Sequence, residues 1–138
     1  MGVAPDQPAG RSVFLGLIGP PYESDQLTTA LRIADEAVRQ RHRVTVWTCG
    51  YSTTLTAASL GATKPRNAQT WAVRFPSTSA LAIGLLDWAG PALQWLVCRY
   101  CAEERGALDQ VPQVRVRPPY EFVQRATAAD VALVLGVK

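Results

Sequence analysis

The feature that most constrains the fold is a strand–helix–strand pattern between Ser12 and Cys49. Ser12 to Ile18 is a short apolar run closed by Gly19-Pro20-Pro21, which reads as a buried strand ending in a turn. Ser24 and Asp25 then offer capping oxygens for a helix that runs to about Gln40. Leu27, Leu31, Ala34 and Val38 recur within it at three- and four-residue spacing and form one apolar stripe. Arg43 to Cys49, rich in β-branched residues, is the second strand. Two strands joined through a helix must pair in parallel, with a right-handed crossover.

The alternation continues. Gly50 to Gln69 is small and polar and is expected to be mostly loop, with room for a short helix between Ser52 and Leu60. Trp71 to Phe75 fits a short extended piece. Ser79 to Ala89 reads as a helix, broken by Gly90-Pro91, and Leu93 to Val97 as a buried core strand. Arg99 to Ala107 follows as a short helix, and Val114 to Val116 as a short strand ended by Pro118-Pro119. Tyr120 to Thr127 is a helix, and Asp130 to Val137 a final buried strand. This order predicts an α/β fold. Helices on both faces of a mostly parallel sheet of about five strands make a three-layer α/β/α sandwich. Residues 1–10, small and polar, are expected to form a flexible tail, and residues 11–138 one domain.

Composition narrows the function classes. The net charge of +3 is mild, and the basic residues at Arg39, Arg41 and Arg43 and at Arg115 and Arg117 lack interleaved aromatics. They read as solvated faces, and nucleic-acid binding is not expected. Thr78 to Val97 carries one charge, Asp87, near its middle, and Gly90-Pro91 interrupts it, so a buried helix and strand explain it better than a membrane span. Three cysteines do not suggest a disulfide framework, and the N-terminus lacks the basic-then-apolar order of a signal peptide. A reducing cytoplasmic setting is expected.

The chemistry-bearing run is Leu96-Val97-Cys98-Arg99-Tyr100-Cys101. It places Cys98 where an apolar strand gives way to a helix, and unpaired N–H groups at a helix start favour a thiolate. Cys101 follows one helical turn later. The plain alternative is that Cys98 is a small buried hydrophobe. One Cys-x-x-Cys without a second pair argues against zinc, since only His42 and Cys49 remain as soft ligands; no metal and no cofactor are expected. Sites in open parallel sheets form at the carboxyl ends of strands, which sets the Gly19–Tyr22 turn, Cys49 and Cys98 on one edge. A buried Cys49 without a role is the favoured reading there.

Taken in order, these residues resemble the DsrE/DsrF-like family, in particular its TusD/DsrE branch of sulfur-relay subunits. The resemblance rests on the Gly19-Pro20-Pro21-Tyr22 turn, on His42 before the second strand, on Cys98 with Arg105-Gly106, and on Ala128-Ala129-Asp130-Val131 before the last strand. It covers nearly all of the chain after the first ten residues. It implies a compact α/β sandwich that assembles with itself or with related subunits. It also implies a cysteine, Cys98, that carries sulfur as a persulfide between donor and acceptor proteins. Two departures stand out: Cys101 adds a thiol beyond the relay pattern, and the apolar stretch from Ser79 to Trp95 is not the usual one.

The expected site is thus Cys98 with Cys101, which either resolves the persulfide or points into the core. Arg99 and Arg105 are candidates to hold sulfur anions, a screened surface guanidinium being favoured for Arg105. Gly106 reads as a helix C-cap. Tyr22 either hydrogen-bonds near the site or packs on the sheet edge, and His42 reads as a residue at a strand start rather than a base. Two other functions compete with the sulfur carrier: a dithiol oxidoreductase using Cys98 and Cys101, and a non-catalytic ligand-binding or interaction subunit. The tryptophans around Ser79–Trp95 fit either a partner surface or core packing.

Overall fold

The computed structural model of the chain describes residues 10–19, 25–65 and 74–136. Tyr22, Trp71 and, apart from Gly10, the expected N-terminal tail lie outside the described residues. The elements are β1 (Ser12–Ile18), α1 (Asp25–Arg39), β2 (Arg43–Cys49), β3 (Thr63–Pro65), β4 (Arg74–Pro76), α2 (Thr78–Ala89), β5 (Leu93–Cys98), α3 (Arg99–Glu104), β6 (Arg115–Arg117), α4 (Glu121–Ala128) and β7 (Val131–Gly136). Five strands form one sheet in the order β6-β5-β2-β1-β7, every neighbouring pair parallel. β3 and β4 form a separate antiparallel hairpin.

The strand order explains the layers. From β1 through β2 and β5 to β6 the chain moves steadily toward one edge, so right-handed crossovers set α1 and α2 on one face. It then returns across the sheet to β7, and the reversed direction puts α4 on the other face. The packing agrees. Leu15, Leu17, Val44, Val46, Trp95 and Val97 meet α1 and α2 in the larger core cluster. Phe14, Trp47, Leu96 and Cys98 point the opposite way, with Phe122 and Ala126 of α4 packed against them. Period-two alternation along each strand makes this division. Each fully buried leucine, such as Leu15 and Leu17, stabilises the fold by about 1.5–3 kcal/mol.

Helix α1 buries Leu27, Ala30, Ala34 and Val38, close to the expected stripe, while Leu31 is only half-buried. Ser77 caps α2 by accepting from the Ala80 N–H at 3.1 Å. Among the described residues the tryptophans differ in burial. Trp47 and Trp95 are buried, whereas Trp88 is exposed and lies under the Arg39 guanidinium, 4.8 Å from its ring centre.

Two expectations change. The segment after β2 is not an ordinary surface loop: 3-10 turns at Gly50–Thr56 and Ala58–Leu60 fold into the core, with Ser52, Thr53, Leu55 and Thr56 buried. Its hydroxyls make this affordable by donating to backbone carbonyls, as Thr53 does to Gly50 at 2.7 Å. The final strand is also not buried. β7 stands at the sheet edge with Ala132, Leu133 and Val134 exposed, because it has β1 on one side and no further strand among the described residues.

Helix α4 is held by a compact charge cluster. Glu121 receives Arg117 through two hydrogen bonds of 3.0 and 2.7 Å and Arg125 through one of 3.0 Å. Arg117 was expected to be a solvated strand residue; its neighbour at the helix start claims it instead. Arg117 above all holds the Glu121 carboxyl below the usual carboxylate range. A lowered carboxyl stabilises the fold above its unfolded value of about 4.5 and loses that contribution as pH falls through the folded value. Acid should therefore destabilise the wild-type chain more than Glu121→Gln, measured as the shift of the urea midpoint between about pH 7 and pH 3; parallel acid limbs would mean that the cluster does not anchor α4. A second prediction concerns Gly16, where a Cβ would stand 3.3 Å from Phe122 and 3.4 Å from Phe14. Gly16→Leu should wedge Phe122 off the sheet and cost about 1–3 kcal/mol by overpacking, with Gly16→Ala much milder. Equal stability of the two variants in denaturant melts would contradict this packing.

Candidate functional site

The site grows from strand register. β2 and β5 pair in parallel with Thr48 beside Val97, so the next residues, Cys49 and Cys98, end adjacent strands on the same face. Cys98 is also the residue that caps the start of α3, and Cys101 is the third residue of that helix. One helical turn brings Cys101 back over the strand ends. The Sγ atoms of Cys49, Cys98 and Cys101 all lie within 4.8 Å of one another, and all three cysteines are free.

The backbone beneath them is firmly held. Gly50 turns the chain sharply after Cys49 with φ at +62°, a conformation that strongly favours glycine. The Cys49 carbonyl accepts from the Gly19 N–H at 3.1 Å, and the Ser52 hydroxyl lies 2.6 Å from it and 2.8 Å from the Leu17 carbonyl. Thr48 donates to the Leu96 carbonyl at 3.2 Å, tying the two cysteine strands together.

The cluster is set in apolar surroundings. Trp47 points to the same face as Cys49, and its indole N–H donates to Cys49 Sγ at 2.9 Å. Phe122 meets Trp47 edge-on at a centroid distance of 6.0 Å. Cys98 is 2% exposed, and Cys49 and Cys101 are half-buried. Burial pushes the Cys49 thiol up to about 12; the Trp47 N–H pulls it down and the neighbouring sulfurs add to the rise. Burial also raises Cys98, against the pull of the Cys101 amide.

This alters one expectation. Cys98 does stand at the start of a helix, but its side chain makes no capping hydrogen bond, and α3 is only six residues long. A short helix offers a weak field, and the loss of water outweighs it. Cys49 and Cys98 therefore rest as neutral thiols, with Cys101 half-buried beside them.

The remaining candidates separate. Arg105 is not a screened surface group: its Nη1 donates to the Cys101 carbonyl at 3.1 Å, its guanidinium stacks 4.6 Å from the Tyr51 ring centre, and Glu104 lies 3.8 Å away. Those contacts fasten α3 to the Gly50–Thr56 turn. Arg99 is exposed, and Tyr22 lies outside the described residues. Gly106 follows α3 with φ at +63°, as a helix terminator should. His42 sits at the opposite end of the sheet, accepting from the Arg11 N–H at 3.0 Å, so the four soft ligands of the chain are not gathered together. Cys49 enters the cluster although its sequence favoured a buried residue without a role. The usable signal was that it closes β2 as Cys98 closes β5; Trp47, its hydrogen-bond donor, had no such signal.

No family model matches the chain, and no curated protein matches it in sequence. Among solved structures it is similar to the ychN protein from E. coli, with a TM-score of 0.71 and 19% identity over 91% of this chain and 100% of that one. No helix among the described residues is long and apolar enough to cross a membrane. The mostly parallel five-stranded sheet with helices on both faces is thus the fold expected from the sequence and the one shared with ychN.

Proposed function

We propose that the chain is a sulfur carrier in a persulfide relay, with Cys98 transiently holding the sulfane sulfur. The observation that carries this reading is the placing of two free thiols, Cys98 and Cys101, beside each other at the carboxyl edge of a parallel sheet. The resemblance to the TusD/DsrE branch, carried by Cys98 with Arg105-Gly106, supports it. So does a fold shared with ychN.

The chemistry is displacement at sulfur. Cys98 is buried and burial holds Cys49 as the thiol, which leaves half-buried Cys101 as the group a donor meets first. Cys101 gives its proton to water and attacks the outer sulfur of the donor persulfide. The donor's S–S bond breaks, and the donor leaves as a thiolate. Cys98 Sγ then attacks the outer sulfur of the Cys101 persulfide, the Cys101 S–S bond breaks, and the proton Cys98 gives up passes to the leaving Cys101 sulfur. Burial at Cys98 then keeps the persulfide from water and stray thiols until an acceptor thiolate attacks it. Donor and acceptor are proteins, and the carrier works in the cytoplasm, assembled with itself or with related subunits. Exposed Arg99 beside Cys98 is suited to hold the departing sulfur anion.

Intact-mass spectrometry after treatment with a persulfide donor tests this directly. Wild type should gain one sulfur atom that reductant removes. Trypsin cuts after Arg99 and so separates Cys98 from Cys101, and the added sulfur should appear on the Cys98 peptide. In Cys98→Ser it should remain on Cys101. A wild-type chain that gains no sulfur ends this reading. Loss of two hydrogens instead would mark a Cys98–Cys101 disulfide and a dithiol oxidoreductase, which the closeness of those sulfurs also favours. The resting cluster makes a further prediction. With the Cys49 thiol pushed up to about 12, only ~1 in 10,000 Cys49 side chains is a thiolate at pH 8. Iodoacetamide should label Cys101 first, and the labelling of Cys49 should keep rising about tenfold per pH unit beyond pH 9. A plateau near pH 9 would show an unshifted thiol.

A further inference from the structure

The trithiol nest has a property that sulfur relay does not require. Relay chemistry needs one sulfur, or two. Here a third, Cys49, comes from a different strand, and its place is fixed by the pairing of β2 with β5 and by the Trp47 hydrogen bond. The donor set is all sulfur, since no His, Asp or Glu among the described residues joins the group. The sole histidine of the chain lies at the other end of the sheet, on the Arg11 N–H.

We propose that Cys49, Cys98 and Cys101 form a binding site for one soft monovalent metal ion, copper(I), held by three sulfurs. Three lines of argument converge. The first is spacing. With metal–sulfur bonds of about 2.3 Å, three sulfurs arranged in a plane around an ion stand ~4 Å apart. Sulfurs that already lie within 4.8 Å of one another need only a small contraction to close on it. The second is ligand type. Thiolates select soft ions such as copper(I), whereas zinc in a structural site takes four ligands and finds three among the described residues. The third is the setting. The Trp47 N–H on Cys49 Sγ is the kind of outer hydrogen bond that orients a sulfur ligand, and Leu96 and Phe122 keep water from the inner side. Cys49 and Cys101, half-buried rather than buried, give the ion its route in.

The binding step balances without an oxidant. Each sulfur that bonds to the ion releases its proton to solvent, and copper stays in its +1 state throughout. The same sulfurs serve the relay, so a bound ion and a bound sulfane sulfur exclude one another. The inference does not depend on the relay, because the nest would take copper(I) with no sulfur donor present.

The test is an anaerobic titration of the reduced full-length chain with copper(I) against a chromogenic copper(I) chelator, followed by X-ray absorption at the copper edge. One copper per chain with three sulfur ligands is the expected result. Two sulfur ligands, a ratio other than one per chain, or failure to draw copper from the chelator would each overturn the site. Cys49→Ser retains Cys98 and Cys101 and should bind copper(I) at least tenfold more weakly. Undiminished affinity in that variant would show that the Cys-x-x-Cys pair acts alone. The coordination number of the wild type decides the matter even if the variant folds poorly. Failure to gain sulfur from a persulfide donor would overturn the relay and leave this site standing.

Discussion

Parallel pairing of β2 with β5 is the constraint on which the rest of the cysteine end depends. Thr48 stands beside Val97, so both strands reach their last residue together and both last residues face α4. Slipping either strand by one residue would turn its cysteine toward α1 and α2 and take its sulfur out of the group. The same register sets Trp47 and Leu96 on the cysteine face as the floor of the nest. It is fixed in turn by burial on both sides of the sheet, since a slip would carry Val46 and Trp95 out of the larger core as well.

Much of this architecture was legible because local pattern and tertiary structure agree. The runs Ser12–Ile18, Arg43–Cys49 and Leu93–Cys98 are short, apolar and rich in β-branched or aromatic residues, and each became a central strand. The stripe of α1 and the Gly90-Pro91 break after α2 were equally plain. What was not legible depended on partners far away in the chain. Nothing in Val-Ala-Leu-Val-Leu-Gly tells whether a strand has one neighbour or two, so β7 read as buried. The small polar residues after Cys49 signalled a loop, but not that their hydroxyls would find carbonyls inside the core, such as Ser52 on Leu17. Arg105 looked like surface charge because Tyr51, on which it stacks, is more than fifty residues away in sequence.

The sulfur cluster also shows how two electrostatic effects are weighed. A helix start favours a thiolate, and the sequence pointed there. The structure adds depth, and depth works against charge at Cys98 and Cys49 alike. A six-residue helix does not offset that. Cys49 and Cys98 are consequently poor nucleophiles near neutral pH, since the thiolate is the reactive form.

The outermost strand has its own consequence. From Val131 to Gly136 β7 carries no charge and no proline, and Leu133 and Val134 are 40% and 51% exposed. Natural sheets blunt such margins with lysine, proline or a bulge, and this one uses none of them. Among the described residues no strand pairs with its outer side, and an unpaired side of this kind is a template on which another strand can grow a sheet. At an apolar strand margin of this kind, orderly association and disordered precipitation draw on the same row of backbone groups, so both rise with concentration.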